Sequence, residues 1–272
     1  MNRTIGRLLL ALSCSVLVTP SAFAQQDDAV LRPAEPDFTL VSLPTSLRLP
    51  VLKSAFRVTH RFGRPLGAGD LGDLVGDLFG LDNGAVIGLE YRIGIVPNGQ
   101  IGFHRSSSGK TIEFFGQYGL LRQGDRVPID VSALVTYEGA DNLHENYSPA
   151  IGAIVSRTFG DIAAVYAEPI WVNNTNTLPG ELADDNDTFM VGLGARVRIR
   201  PTIYLAGELA PRASGYKPGV THGSFAIEKR AGGHIFQLNF SNSFATTMGQ
   251  LARGGSNNDD WFLGFNISRK FF

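Results

Sequence analysis

The residues that could do chemistry are charged side chains set at alternate positions into apolar stretches. Arg57 and Arg61, Glu90 and Arg92, Glu113, Arg196 and Arg198, Glu208, and Glu228 and Arg230 follow this spacing. Alternate side chains of an extended chain point to opposite faces. Between Met190 and Arg200, the stretch M-V-G-L-G-A-R-V-R-I-R puts Val191, Leu193, Ala195, Val197 and Ile199 on one face. Gly192, Gly194, Arg196, Arg198 and Arg200 share the other. A wall charged on one side can line an aqueous path and sort solutes. It can also fill a narrow interior with ion pairs. The mixed signs favour pairing, and the sequence leaves both readings open.

Other chemistries have less behind them. His60, His104, His144, His222 and His234 show neither H-x-x-x-H nor H-E-x-x-H spacing, so no metal site and no cofactor is expected. H-R-S-S-S at 104–108 sets His104 near serines, as a lipase-like surface enzyme would need. The serines fall in a turn without nucleophile context and no G-x-S-x-G occurs, so no enzyme is expected. G-D-L-G-D-L-V-G-D-L-F-G at 69–80 spaces Leu71, Leu74, Val75, Leu78 and Phe79 as on a helix, with Asp70, Asp73 and Asp77 on the other side. One reading is a short helix that constricts or caps an interior. The other is a solvated acidic face.

The elements that must hold these residues are strands. Arg3 and Arg7 precede the apolar run L-L-L-A-L-S-C-S-V-L-V and the small-residue site S-A-F-A, the layout of a signal peptide cleaved after Ala24. Cleavage would remove Cys14, the chain's one cysteine, and two of its 24 basic residues. It would leave 22 basic residues against 25 acidic ones, a net charge of −3. That balance argues against a nucleic-acid partner. Residues 25–53 hold Pro33, Pro36, Pro44 and Pro50 with little periodicity, and are expected to form an irregular periplasmic lead-in tucked against the base of the strand-rich region.

From Ser54 the period-two pattern recurs to the end of the chain. Strands are expected at 54–63, 84–95, 99–105, 110–121, 127–137, 148–159, 161–172, 188–200, 202–210, 223–231, 233–241 and 260–271. Each is near the length that a tilted membrane strand needs. The connections alternate. P-N-G at 97–99, F-G-D at 159–161, R-P at 200–201 and R-A-G-G at 230–233 are tight. Those beginning near Gly63, Gly139, Asn173, Pro211 and Ser241 are long, and S-S-S-G at 106–109 is the short member of that set. An even strand number with long loops at one end and short turns at the other describes a bacterial outer-membrane barrel.

In such a barrel the apolar phase meets hydrocarbon and the polar phase meets the lumen. The closing stretch W-F-L-G-F-N-I-S-R-K-F-F ends on an aromatic, as the barrel-insertion machinery would read, but Phe272 is out of phase with Trp261, Leu263, Phe265 and Ile267. Either a bulge re-phases the end or Phe271 takes the role. His60 is a second irregularity, sharing a face with Phe56, Val58 and Phe62.

H-R-F-G at 60–63, F-G-L-D-N-G-A at 79–85 and I-G-L-E-Y-R-I at 87–93 resemble a bacterial family known as a membrane-bound β-barrel domain of unknown function. The asparagine-rich segment after P-I-W-V and the closing G-F-N-I-S-R-K-F extend the likeness over about residues 50–272. The resemblance implies a barrel and carries no chemistry.

The expected fold is therefore all-β: a transmembrane antiparallel up-and-down barrel of about twelve strands at 54–272, behind a signal peptide at 1–24 and a lead-in at 25–53. It is expected in the outer membrane of a Gram-negative-type bacterium. Its expected partners are outer-membrane lipid, the insertion machinery through the C-terminal strand, and a small solute. The first functional expectation is a passive channel or carrier with a charged lumen, the 63–84 loop acting as its constriction. A closed scaffold binding a partner through its loops or lead-in is the second, and a surface enzyme the third.

Overall fold

The computed structural model describes residues 32–124, 126–176 and 186–272. The expected signal segment with Cys14, residues 25–31 and the middle of the asparagine-rich loop lie outside the described residues. The strand segments are β1 (Ser54–Pro65), β2 (Ala85–Val96), β3 (Gly99–Ser106), β4 (Ile112–Leu121), β5 (Asp130–Gly139), β6 (Glu145–Phe159), β7 (Ala163–Asn173), β8 (Asp187–Arg200), β9 (Ile203–Ala210), β10 (Arg212–Gly215), β11 (His222–Ala231), β12 (His234–Ser241) and β13 (Phe262–Phe271). Each pairs antiparallel with its neighbours. The circle closes where β13 meets β1, Val58 lying opposite Ile267. Both β9 and β10 pair with β8, so β10 continues β9 past Pro211 and the barrel has twelve staves. Proline has no N–H to give the ladder, yet its carbonyl still accepts from Val191 at 2.9 Å. Closure matters because an open edge in hydrocarbon leaves backbone groups unpaired at several kcal/mol each.

Burial is inverted relative to a water-soluble sheet. Leu193, Ile227 and Leu238 expose 43, 50 and 47% of their surface, while Arg196 and Glu228 expose none. Hydrocarbon outside and a packed polar interior account for this pattern. The strand expected at 127–137 starts later, at Asp130, so Val127 and Ile129 precede β5. Leu193→Arg, mid-strand on the outer face, is expected to cost about 2–4 kcal/mol in equilibrium unfolding from lipid vesicles. An unchanged unfolding curve would remove this face from hydrocarbon.

The tight turns sit at one end of the barrel, with Asn98 and Gly232 in the left-handed region at φ 64° and 55°. The C-terminus lies at the same end, without a bulge. Phe271 is exposed on the outer face, and Phe272 turns inward against Phe38, Leu47, Leu49 and Ala55. Phe271 therefore continues the outward aromatic phase, and Phe272 packs on the lead-in. His60 does face outward, stacked on Phe265 with ring centroids 4.7 Å apart.

Two expectations need correcting. The first loop does not constrict the lumen. Its helix α1 (Leu71–Gly76) buries no residue, and Leu71 is 71% exposed. Its aspartates act locally. Asp70 and Asp73 form a capping box on α1, while Asp77 accepts from Gly80 N and pairs with Arg64. The lead-in, expected at the barrel's base, runs into the lumen. Residues 34–47 are buried throughout, and they form a hairpin. Thr39 pairs with Pro44, Thr45 N donates to the Phe38 carbonyl at 2.8 Å, and Leu40 N donates to the Leu43 carbonyl at 2.8 Å across the apex. The sequence signal fails here because a hairpin enclosed on all sides has no solvent side to alternate against: polar side chains meet its backbone, while Ala34, Leu40, Val41 and Leu43 share an apolar cluster with Leu134, Ile154, Ile170 and Met190 of the wall.

Candidate functional site

The lumen is the site, and its wall grips the hairpin by the main chain. Inward side chains from several strands supply hydrogen-bond partners to backbone groups that would otherwise be buried without any. Arg196 Nη2 donates to the Thr39 carbonyl at 2.6 Å, Gln237 Nε2 to Leu40 at 2.8 Å, and Asn266 Nδ2 to Val41 at 3.1 Å. Arg57 also donates to Val41. Nearer the short-turn end, Gln117 Nε2 donates to the Thr45 carbonyl at 2.9 Å and Gln100 Nε2 to Leu47 at 3.2 Å. The apex presents its amides to Glu208, whose carboxylate accepts from Val41 N at 3.0 Å, Ser42 N at 2.8 Å and Leu43 N at 3.0 Å. The inner face of β8 is shaped for the apex. A Cβ at Gly194 would lie 2.2 Å from Leu40 Cδ1, and one at Gly192 would lie 3.0 Å from Leu43 Cδ1. The glycines of M-V-G-L-G-A-R thus clear room for two leucines of the hairpin.

From the long-loop end a second piece enters. The long loop between β5 and β6 carries the short helix α2 (Ala140–Leu143), and helix α3 (Met248–Arg253), in the loop between β12 and β13, buries Met248, Gly249, Leu251 and Ala252. Its first amides meet two wall carboxylates, Met248 N donating to Glu113 and Gly249 N to Glu138, each at 2.8 Å. Arg253 donates to Ser148 Oγ at 3.0 Å and to Glu138 at 3.4 Å. The hairpin and the α3 loop touch where Ser42 Oγ donates to the Ala245 carbonyl at 3.0 Å. Beside that contact a cavity of about 30 Å3 is lined by Thr39, Ser42, Glu90, Glu113, Thr246 and Met248. One water needs about 10–15 Å3 of such space, so the cavity has room for about two waters and not for a larger solute. On the outer side of α3 a vestibule of about 670 Å3 opens among the long loops, with Asn146, Phe244, Gln250 and Arg253 on its walls.

The ten wall charges fall into two groups. Eight are buried in the lumen: Arg57, Arg61, Glu90, Arg92, Glu113, Arg196, Glu208 and Glu228. Arg196 and Glu228 form a two-pronged pair, Nε to Oε2 at 2.8 Å and Nη2 to Oε1 at 2.9 Å. Arg92 Nε donates to Glu90 at 2.7 Å, and its guanidinium lies 4.9 Å from the centroid of the Phe115 ring. Arg57 stands 3.7 Å from the same Glu90. Arg61 differs. Its Nη1 donates to Asn266 Oδ1 at 2.9 Å, and its Nε and Nη2 have no hydrogen-bond partner among the described residues. Arg198 and Arg230 sit at the short-turn rim, where Arg198 donates to the Pro201 carbonyl at 3.1 Å.

His104 makes no hydrogen bond to the serines that come after it in sequence, although Ser106 shares its inward face of β3. It is buried in the lumen beside Glu90, 3.7 Å away, and Ser107 Oγ accepts from Ile87 N instead. Neither ring nitrogen of His104 has a serine hydroxyl as hydrogen-bond partner among the described residues. Several site residues were not singled out from the sequence: the hairpin itself, the amide side chains Gln100, Gln237 and Asn266, and Glu138, Glu168 and Lys270. The strand members among them carry the inward phase, a signal that the alternation holds. Glu168 is the oddest of them, fully buried with neither carboxylate oxygen hydrogen-bonded among the described residues.

No curated protein matches the chain in sequence. Among solved structures, the NanC porin is similar at a TM-score of 0.51 and 9% identity, the match covering 80% of this chain and 99% of that one. The KdgM porin in complex with disordered oligogalacturonate is similar at 0.50 and 7% identity, covering 81% of this chain and all of that one, 100%. At such identities the likeness is one of fold: a small twelve-stave membrane barrel. Residues 39–271 match the family described as membrane-bound β-barrel domain, DUF5777, and the chain belongs to that family.

Proposed function

We propose that this protein is an outer-membrane barrel of a Gram-negative-type bacterium that passes a small solute, and that its own N-terminal hairpin closes it at rest. In this reading the short turns and the lead-in lie on the periplasmic side and the vestibule faces outward. The observation that carries the reading is how the wall meets the hairpin. Arginine, glutamate and amide side chains hold backbone groups, and water can take over every one of those contacts when the hairpin leaves. An apolar cluster of Leu40, Val41 and Leu43 with Leu134, Ile154, Ile170 and Met190 fills one side of the lumen, but on the side of Arg57, Glu90, Arg196 and Glu228 the seal is made of charged groups, and buried ion pairs are often no more stabilising than well-packed hydrophobic replacements. The proposal includes no enzymatic role.

A cysteine pair tests it. Ser46 Oγ and Ser156 Oγ lie 2.6 Å apart, one on the hairpin and one on β6. Ser46→Cys with Ser156→Cys should join hairpin to wall under oxidation. In planar bilayers a chain lacking residues 33–49 is expected to conduct steadily, the reduced pair to open intermittently, and the oxidised pair to stay shut. If the shortened chain folds and conducts at no voltage, the channel reading fails. The closed scaffold then stands, which the filling of the lumen from both ends favours. In that case cross-linking in intact cells from the loops or the lead-in should capture a specific neighbour.

A further inference from the structure

We propose that the short-turn end carries a binding site for a small multivalent oxyanion, seated between the hairpin's outgoing stem and the β4–β5 turn. A cavity of about 350 Å3 opens there, and Arg32, Arg48 and Arg122 all line it, with Ser46, Pro50 and Asn98. Arg32 belongs to the hairpin's incoming stem and Arg48 to its outgoing stem, while Arg122 belongs to the barrel. Three guanidinium groups from both sides of the seam between plug and wall thus face one space.

Their compensation is incomplete. Among the described residues the carboxylates at hand are Glu35 and Asp130, two against three. Both are buried behind the arginines, with side chains 0% and 1% exposed. Arg32 uses them up, donating to Asp130 with both terminal nitrogens and to Glu35 at 3.2 Å. Arg48 keeps only a 3.5 Å approach to Asp130. It donates instead to the Leu121 carbonyl and to Asn98 Oδ1, and its buried Nε has no partner among the described residues. Burial, and after it the charges of Arg122 and Arg32, hold the Arg48 guanidinium below the ordinary arginine value, against the pull of Asp130. Like charges across a seam push it apart unless an anion lies between them. A guanidinium matches carboxylate or phosphate oxygens with two parallel hydrogen bonds, and a ligand carrying two such groups can bridge stem and turn. The bound anion would latch the hairpin in place. The site rests on where the hairpin lies and not on whether the barrel conducts.

A ligand that binds the folded state raises its stability in a saturable way, which sets the test. The full-length mature chain in neutral detergent is melted against pyrophosphate, with sodium chloride matched in ionic strength. A parallel series uses mixed micelles with phosphatidylglycerol, because a lipid headgroup offers the same phosphate chemistry. Tm should rise and level off with pyrophosphate but not with chloride, and Arg48→Gln or Arg122→Gln should weaken the apparent affinity at least about tenfold. A saturable rise with phosphatidylglycerol alone, lost in the same variants, assigns the site to a headgroup. Arg122 stands in a turn outside the barrel wall, so its variant keeps the test readable if Arg48→Gln misfolds. A Tm that follows ionic strength alone, or a saturable rise unchanged in Arg122→Gln, overturns the proposal.

Discussion

Replacing Arg196 by methionine is expected to cost the barrel about 3–5 kcal/mol, the penalty for leaving one partner of a buried ion pair alone. Arg196 and Glu228 are both fully buried, and Arg196 also holds the Thr39 carbonyl. In Arg196→Met, Glu228 keeps one neutral donor, Gln237 Nε2 at 2.7 Å, and its carboxylate is fully buried from bulk solvent. The pair taken together should matter far less. Arg196→Met with Glu228→Leu removes both charges, and the doubly substituted barrel is expected to recover most of the loss. Equilibrium unfolding in urea from lipid vesicles reads both. If the double variant were as unstable as the single one, the charge pair would contribute net stability, and the argument that this wall suits water would weaken. If the single variant cost nothing, the hairpin would not be fixed where it is seen.

The barrel was legible in the sequence because each stave obeys one rule. Along β8, Leu193, Val197 and Ile199 could only face lipid, since an arginine there at mid-depth costs about 2–4 kcal/mol. That constraint fixed the phase of Arg196 with it. The loop rule worked for the same reason, tight connections such as Arg200–Pro201 leaving no choice about which strand comes next. The filling of the lumen was not legible. Leu40 and Leu43 look like any loop leucines until Gly192 and Gly194 are placed opposite them. The amides of residues 41–43 carry no side-chain signature at all. The acidic loop failed in the opposite direction. Its helical spacing was real, and α1 forms, but periodicity does not say which way a helix faces, and Asp70, Asp73 and Asp77 are occupied with caps and with Arg64. Its apolar side chains stay at the surface while α3, whose sequence M-G-Q-L-A-R drew no notice, fills the mouth.

Glu208→Ala is expected to release the hairpin without unfolding the barrel. Glu208 accepts three apex amides, the Ser224 hydroxyl at 2.8 Å, and stands 3.2 Å from His222 Nε2, which in turn lies across the ring from Ser243. Alanine leaves all three amides unmade. At about 1 kcal/mol each, the loss is about 3 kcal/mol, and unsatisfied buried groups cost more if nothing moves. The barrel has a cheaper response. The hairpin can leave for water, where its amides are solvated, at the cost of parting Leu40, Val41 and Leu43 from the apolar cluster they share with the wall. The penalty is therefore capped by the free energy of inserting the hairpin. A cysteine at Ser42 or Ser46 reports on this, both positions being buried at 7% and 4% exposure. A membrane-impermeant thiol reagent is expected to label either one roughly a hundredfold faster in the Glu208→Ala background, the factor that about 3 kcal/mol implies. Glu208→Gln, which keeps one carbonyl oxygen, should fall between. Two reporters are needed because Ser42→Cys itself gives up the bond to Ala245. Labelling that stays slow at both sites, in a barrel shown to be folded, would mean that the carboxylate does not hold the apex. The closure would then rest on the leucines seated against Gly192 and Gly194.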